Sequence, residues 1–101
     1  MAEFNNYRIY YYSAPQYNWD AQIDLSMNAS SVATLQFMKT GKPIPANSVS
    51  GGIFQIHYSI RDFPAIMSML REEKPLFVTL AANGIGTLST SDEPVGEQEG
   101  V

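Results

Sequence analysis

The stretch Ser59–Thr90, SIRDFPAIMSMLREEKPLFVTLAANGIGTLST, decides the fold class. Phe63, Ile66, Met67 and Leu70 recur at the i, i+3, i+4, i+7 spacing that forms one buried stripe on a helix. Asp62, alone or with Ser59, supplies capping oxygens, and Pro64 fits the first turn, where its missing N–H costs little. Pro75 breaks the pattern, and Leu76–Leu80 is then a run of strand formers. Asn83-Gly84 turns the chain back, predicting a type I′ hairpin with two positive φ angles. The stretch therefore predicts a helix over 62–73 followed by a β-hairpin.

Upstream, the periodicity changes from 3.6 to 2. Tyr7–Tyr12 is rich in β-formers and ends at the Ser13–Asn18 turn, which contains Pro15. Ala21, Ile23, Leu25 and Met27 alternate with Asp20, Gln22, Asp24 and Ser26, so one strand face is core and the other wet. Val32–Lys39 repeats the alternation through Ala33, Leu35 and Phe37. Matching the apolar rows predicts Met27 opposite Ala33, Leu25 opposite Leu35 and Ile23 opposite Phe37, with 28–32 as the connecting loop. Residues 40–52 read as a long irregular loop. Ile53–Tyr58 reads as a strand with Phe54, Ile56 and Tyr58 on one face and Ile53, Gln55 and His57 on the other.

The expected fold is α+β: a mainly antiparallel sheet of about six strands with one amphipathic helix, in the order β-β-β-β-α-β-β. A helix of about twelve residues is ~18 Å long and covers one sheet face. Its stripe is expected against Ile23, Leu25, Leu35, Phe37, Phe54 and Ile56. The second face must then be polar, curled or covered by another chain.

The chain has 101 residues, 45% hydrophobic and 16% charged, enough for one core without disulfides or metal. It contains no Cys, which excludes a thiol nucleophile and a Cys-ligated zinc. In residues 1–91 the basic groups Arg8, Lys39, Lys42, Arg61, Arg71 and Lys74 are balanced by Glu3, Asp20, Asp24, Asp62, Glu72 and Glu73. Asp92, Glu93, Glu97 and Glu99 thus supply the whole net charge of −4. The division expected is an α+β domain over 1–91 and an acidic, flexible tail over 92–101. Scattered basic groups and a net negative sign argue against nucleic acid. No apolar run reaches the ~18 residues of a membrane span, and Met1–Tyr12 lacks the order of a signal peptide, so no membrane partner and a cytoplasmic location are expected.

Motifs for chemistry are sparse. His57 is the only histidine, and Asp20 or Asp24 are the carboxylates that would orient it as a base. Nearby Gln55, Tyr58 and Ser59 equally provide ordinary structural partners. Asp20 and Asp24 share a strand face about 13 Å apart, too far for a common cation or a glycosidase pair. Gly84-Ile85-Gly86 sits in a hairpin and lacks the remainder of a nucleotide-binding fingerprint. No catalytic residue, metal ligand or cofactor is assigned. Tyr10, Tyr12, Tyr17 and Trp19 are the strongest candidates for ligand or interface contact, with His57 beside them, because amphipathic aromatics favour interfaces and clefts.

Pro45-Ala46-Asn47-Ser48, His57-Tyr58, Met69–Leu76, Asn83-Gly84-Ile85 and Glu93-Pro94-Val95-Gly96-Glu97 together span the C-terminal two-thirds of the chain. In these pieces it resembles an uncharacterised family of bacterial proteins of similar length, of the orphan kind carried on genomes or mobile gene cassettes. The resemblance implies a bacterial source and no particular activity.

The functional expectation is a non-enzymatic binding or self-association domain, a homodimer through the aromatic strand and the uncovered sheet face. The alternatives are a small-molecule binder with a pocket lined by Tyr10, Tyr12, Trp19 and His57, gated by the 40–52 loop, and an enzyme using His57.

Overall fold

A computed structural model describes residues 2–92 and is α+β, with eight strands in two sheets and one short helix. The strands are β1 (Ala2–Phe4), β2 (Asn6–Tyr11), β3 (Trp19–Met27), β4 (Ser30–Met38), β5 (Ser48–Ser50), β6 (Ile53–Ser59), β7 (Leu76–Leu80) and β8 (Gly86–Thr90). Between β6 and β7 lie a 3-10 turn, Ile60–Asp62, and helix α1, Phe63–Glu72. The larger sheet has the order β2-β3-β4-β6-β5 and the smaller β1-β7-β8. All pairings are antiparallel except β4 with β6. Of the expected acidic tail, only Asp92 is among the described residues.

Two strands exceed the expected six. β1 precedes the Tyr-rich strand and pairs with β7, so the chain crosses from one sheet to the other at Asn5. β5 lies inside what reads as a loop over 40–52. Gly51 and Gly52 take φ of 58° and 80°, the two left-handed positions of a tight turn, and fold Ser50 back onto Ile53.

The β3–β4 hairpin corrects the predicted register by two residues. Its turn is only Asn28-Ala29, both at positive φ, with Met27 opposite Ser30. Continued without interruption, that turn would set Leu25 opposite Val32 and Ile23 opposite Thr34, mixing the faces. An extra residue in β4 shifts the phase between Leu25 and Ser26, so that Leu25 meets Ala33, Ile23 meets Leu35 and Ala21 meets Phe37. The apolar rows coincide as expected, at a different offset. The 81–86 hairpin also differs from the type I′ expectation. Only Gly84 has positive φ, and the Gly84 N–H donates to the Ala81 carbonyl, which gives a three-residue loop.

The inner face of the larger sheet supplies Ala21, Ile23, Leu25, Ala33, Leu35, Phe37 and Ile56 to the core, all at most 1% exposed. Met67 and Leu70 from α1 and Phe4, Leu76 and Val78 from the smaller sheet close it from the other side. Phe63 and Ile66 of the predicted stripe are half-buried against that core, with the Phe63 ring edge-on to Phe37 at 5.0 Å. The helix starts close to the predicted point, but Asp62 makes no capping bond. Ser59 instead accepts from the Arg61 N–H and caps the preceding 3-10 turn. The second layer is thus helix plus small sheet, and no described element forms a layer over the outer face of the large sheet.

Candidate functional site

Strand alternation and register define that outer face. One row across it runs Tyr10, Gln22, Gln36, His57, and the next runs Arg8, Asp24, Thr34, Gln55, Ser48. The surface is polar through its middle and aromatic at the β2 end.

Four of the five sequence candidates form one continuous aromatic strip. Tyr10 and Tyr12 lie nearly parallel with centroids 6.2 Å apart, Tyr12 meets Tyr17 edge-on at 5.4 Å, and Tyr17 stacks on Trp19 at 4.7 Å. Lys39 fixes the turn that brings them together: its Nζ donates to the carbonyls of Ala14 at 2.9 Å and Tyr17 at 2.6 Å, and lies 3.8 Å from Asp20. Met38, paired with Trp19, is 3% exposed although its neighbour Phe37 faces the main core, so this outer corner has a small apolar base of its own. Burial raises the Tyr12 pKa, with the nearby Tyr17 hydroxyl adding to it. Trp19 Nε1 is buried without a hydrogen-bond partner in the described structure.

His57 stands apart. It shares a row with Tyr10, but β3 and β4 separate their strands, a lateral distance of about 14 Å at ~4.8 Å per strand. No ion pair joins it to Asp20 or Asp24 among the described residues. Its Nδ1 is buried and unpartnered, and burial pushes its pKa below the ordinary value, partly offset by a backbone hydrogen bond with Ala46. The 40–52 segment is tied down by Asn47, whose Oδ1 accepts from the His57 N–H at 2.8 Å and whose Nδ2 donates to the Gly84 carbonyl at 2.9 Å. No cluster of three metal-ligating side chains occurs among the described residues, and no described helix is long and apolar enough to cross a membrane.

The feature that single-residue reading missed is the opposite side of the same strand. Tyr7, Ile9 and Tyr11 point to the inner face but lie at its margin, and they are 38%, 40% and 65% exposed. Only Tyr11 has an aromatic neighbour there, the Phe63 ring edge-on at 5.8 Å. Because β2 is the outermost strand of the larger sheet, one side of its backbone has no pairing strand among the described residues. Arg8 is the only charge on this strand. Its pKa is held above the ordinary value by Tyr10 first, through hydrogen bonding and charge, and by Asp24. The available signal was that tyrosines occupy both faces of Tyr7–Tyr12.

Two open depressions flank this strand. One of about 310 Å³ lies between Asn5–Tyr7 and the end of α1 at Arg71–Lys74. The other, of about 520 Å³, lies over Arg8, Tyr10, Asp24 and Ser31. In comparisons with known proteins, the chain matches no protein family, no curated protein and no solved structure.

Proposed function

We propose that this protein is a non-enzymatic self-association domain that forms a homodimer through β2. The observation that carries this reading is a six-residue edge strand with no proline or lysine, whose Tyr7, Ile9 and Tyr11 leave large apolar area in water. Edge strands are ordinarily blunted by shortness, proline, charge or a bulge. β5, the opposite edge, is blunted in this way: it has three residues and lies between Pro43, Pro45 and the Gly51-Gly52 turn. A long edge carrying a single charge, Arg8, at one end and a short, proline-flanked edge at the other favour a closed two-fold dimer over a head-to-tail fibre. The outer-face tyrosines Tyr10 and Tyr12 border the same seam. A bacterial, cytoplasmic setting completes the proposal; its bacterial part rests on the resemblance, and the lack of cysteine makes a small secreted domain the less common alternative.

Sedimentation equilibrium of the full chain from low to high micromolar concentration tests it. A mass of twice the chain is expected, and a monomer throughout overturns the reading.

A second reading, small-molecule binding on the outer face, is favoured by the strip Tyr10-Tyr12-Tyr17-Trp19 beside the Arg8–Asp24 depression. A thermal-shift screen over metabolites and nucleotides tests it, since ligand at 100 times its dissociation constant adds about 2.7 kcal/mol. The absence of any shift counts against it.

A further inference from the structure

The backbone of β2 carries more information than its exposure. Tyr12, opposite Asp20 by continuation of the β2–β3 register, donates its N–H to the Asp20 carbonyl at 2.8 Å. Hydrogen-bonded pairs alternate along an antiparallel ladder, so Tyr10 with Gln22 and Arg8 with Asp24 are also bonded pairs. The N–H and C=O groups of the residues between them, Tyr7, Ile9 and Tyr11, therefore point away from β3 along the free edge. These are the same three residues of the strand whose large hydrophobic side chains are exposed.

Resting on the self-association reading above, we infer that two copies pair β2 against β2 antiparallel with Ile9 on the two-fold axis. In this register Ile9 faces Ile9 of the second copy and Tyr7 faces its Tyr11, so all six outward donors and all six outward acceptors of the two strands are satisfied. On the inner face, the row Ile9, Ile23, Leu35, Ile56 becomes continuous with its symmetry mate. The result is a ten-stranded sheet. On the outer face, each Arg8 stands opposite a Tyr10 of the other copy.

The neighbouring registers are poorer. An axis at Arg8 sets two guanidinium groups directly opposite, which is destabilising, and moves Tyr11 against Asn5, outside the strand. An axis at Tyr10 moves Tyr7 against Ser13, also outside it.

Because the chain has no cysteine, disulfide trapping reads the register without background. Arg8 and Tyr10 of the other copy form a non-hydrogen-bonded pair with Cα atoms about 4.5 Å apart, within disulfide reach. Arg8 to Arg8 and Tyr10 to Tyr10 are each offset by two residues, about 8 Å, which is beyond it. Arg8→Cys and Tyr10→Cys chains, tagged differently and mixed under mild oxidation, should give the mixed disulfide, and neither should cross-link alone. Asn6→Cys with Tyr12→Cys should behave alike, as an independent pair in the same register. Cross-linking of Arg8→Cys alone or Tyr10→Cys alone overturns the Ile9 axis. No cross-link in either mixture, with unmodified protein sedimenting as a dimer, places the seam elsewhere and overturns the inference while leaving self-association standing. A monomer by sedimentation overturns both.

Discussion

Replacing Leu70 by Ala asks whether the single helix is committed to the core or free to recognise a partner. Leu70 is 7% exposed and is one of two buried helix residues, with Met67. Losing its branched end removes about 2 kcal/mol of transfer energy at ~0.8 kcal/mol per methylene, to which a cavity adds its own cost. Leu70 also borders the open depression of about 310 Å³, so the void is partly accessible to relaxation. The expected loss is therefore about 2–3.5 kcal/mol, the lower part of the range for buried leucines. Ser68 is the control: it is exposed, and its Oγ contact with Glu72 is a long 3.5 Å, so Ser68→Ala should change stability by less than about 0.5 kcal/mol. Urea unfolding at one fixed protein concentration measures both, with an unchanged slope and a shifted midpoint for Leu70→Ala. Equal effects, or a Leu70→Ala loss below about 1 kcal/mol, would refute the assignment of the helix face.

Three other perturbations probe the frame around the site. Ala29 holds φ of 72° in the β3–β4 turn, so Ala29→Gly should stabilise by up to about 1 kcal/mol, read as a raised melting temperature; a loss would contradict the left-handed turn. A Cβ on Gly86 would meet Ile56 side-chain atoms at 3.0 Å, and Ile56 is 1% exposed, so Gly86→Ala should cost about 1–3 kcal/mol in chemical denaturation; a neutral result would deny that β8 packs on the large sheet. His57 is held neutral in the fold by burial, so protons bind the unfolded chain first as pH falls. Its contribution should be complete above the unfolded value of about 6.5 and lost below it, and His57→Gln should flatten that part of the stability–pH curve; identical curves would show a freely solvated imidazole.

Local patterns were legible where one residue's neighbours in sequence decide its environment. The stripe Phe63, Ile66, Met67, Leu70 and the alternation Ala21, Ile23, Leu25 each announce a buried face. Pairing information is non-local, and there the reading failed. Nothing near Val32 signals that the β4 ladder changes phase, because an extra residue is useful only once the Asn28-Ala29 turn has fixed the opposite parity. The parallel β4–β6 pairing and the short β5 were likewise hidden inside a Gly- and Pro-rich segment that reads as loop. At the site, Tyr10, Tyr12, Tyr17 and Trp19 were recognisable from composition and come together. His57 shares the sheet face of Tyr10, but two strands lie between. Tyr7, Ile9 and Tyr11 gain their meaning only from the position of β2 at the sheet margin, which no window of sequence specifies.

Amide hydrogen exchange along β2, followed by NMR at low and high protein concentration, tests the account most directly. The alternation is already fixed within one chain: Arg8 and Tyr10 donate toward β3, whereas Tyr7, Ile9 and Tyr11 face the free edge. The account predicts that the amides of Arg8 and Tyr10 are protected at every concentration, while those of Tyr7, Ile9 and Tyr11 exchange freely in dilute solution and become protected as the dimer forms. Amides of Tyr7, Ile9 and Tyr11 that stay unprotected in a demonstrably dimeric sample would contradict it.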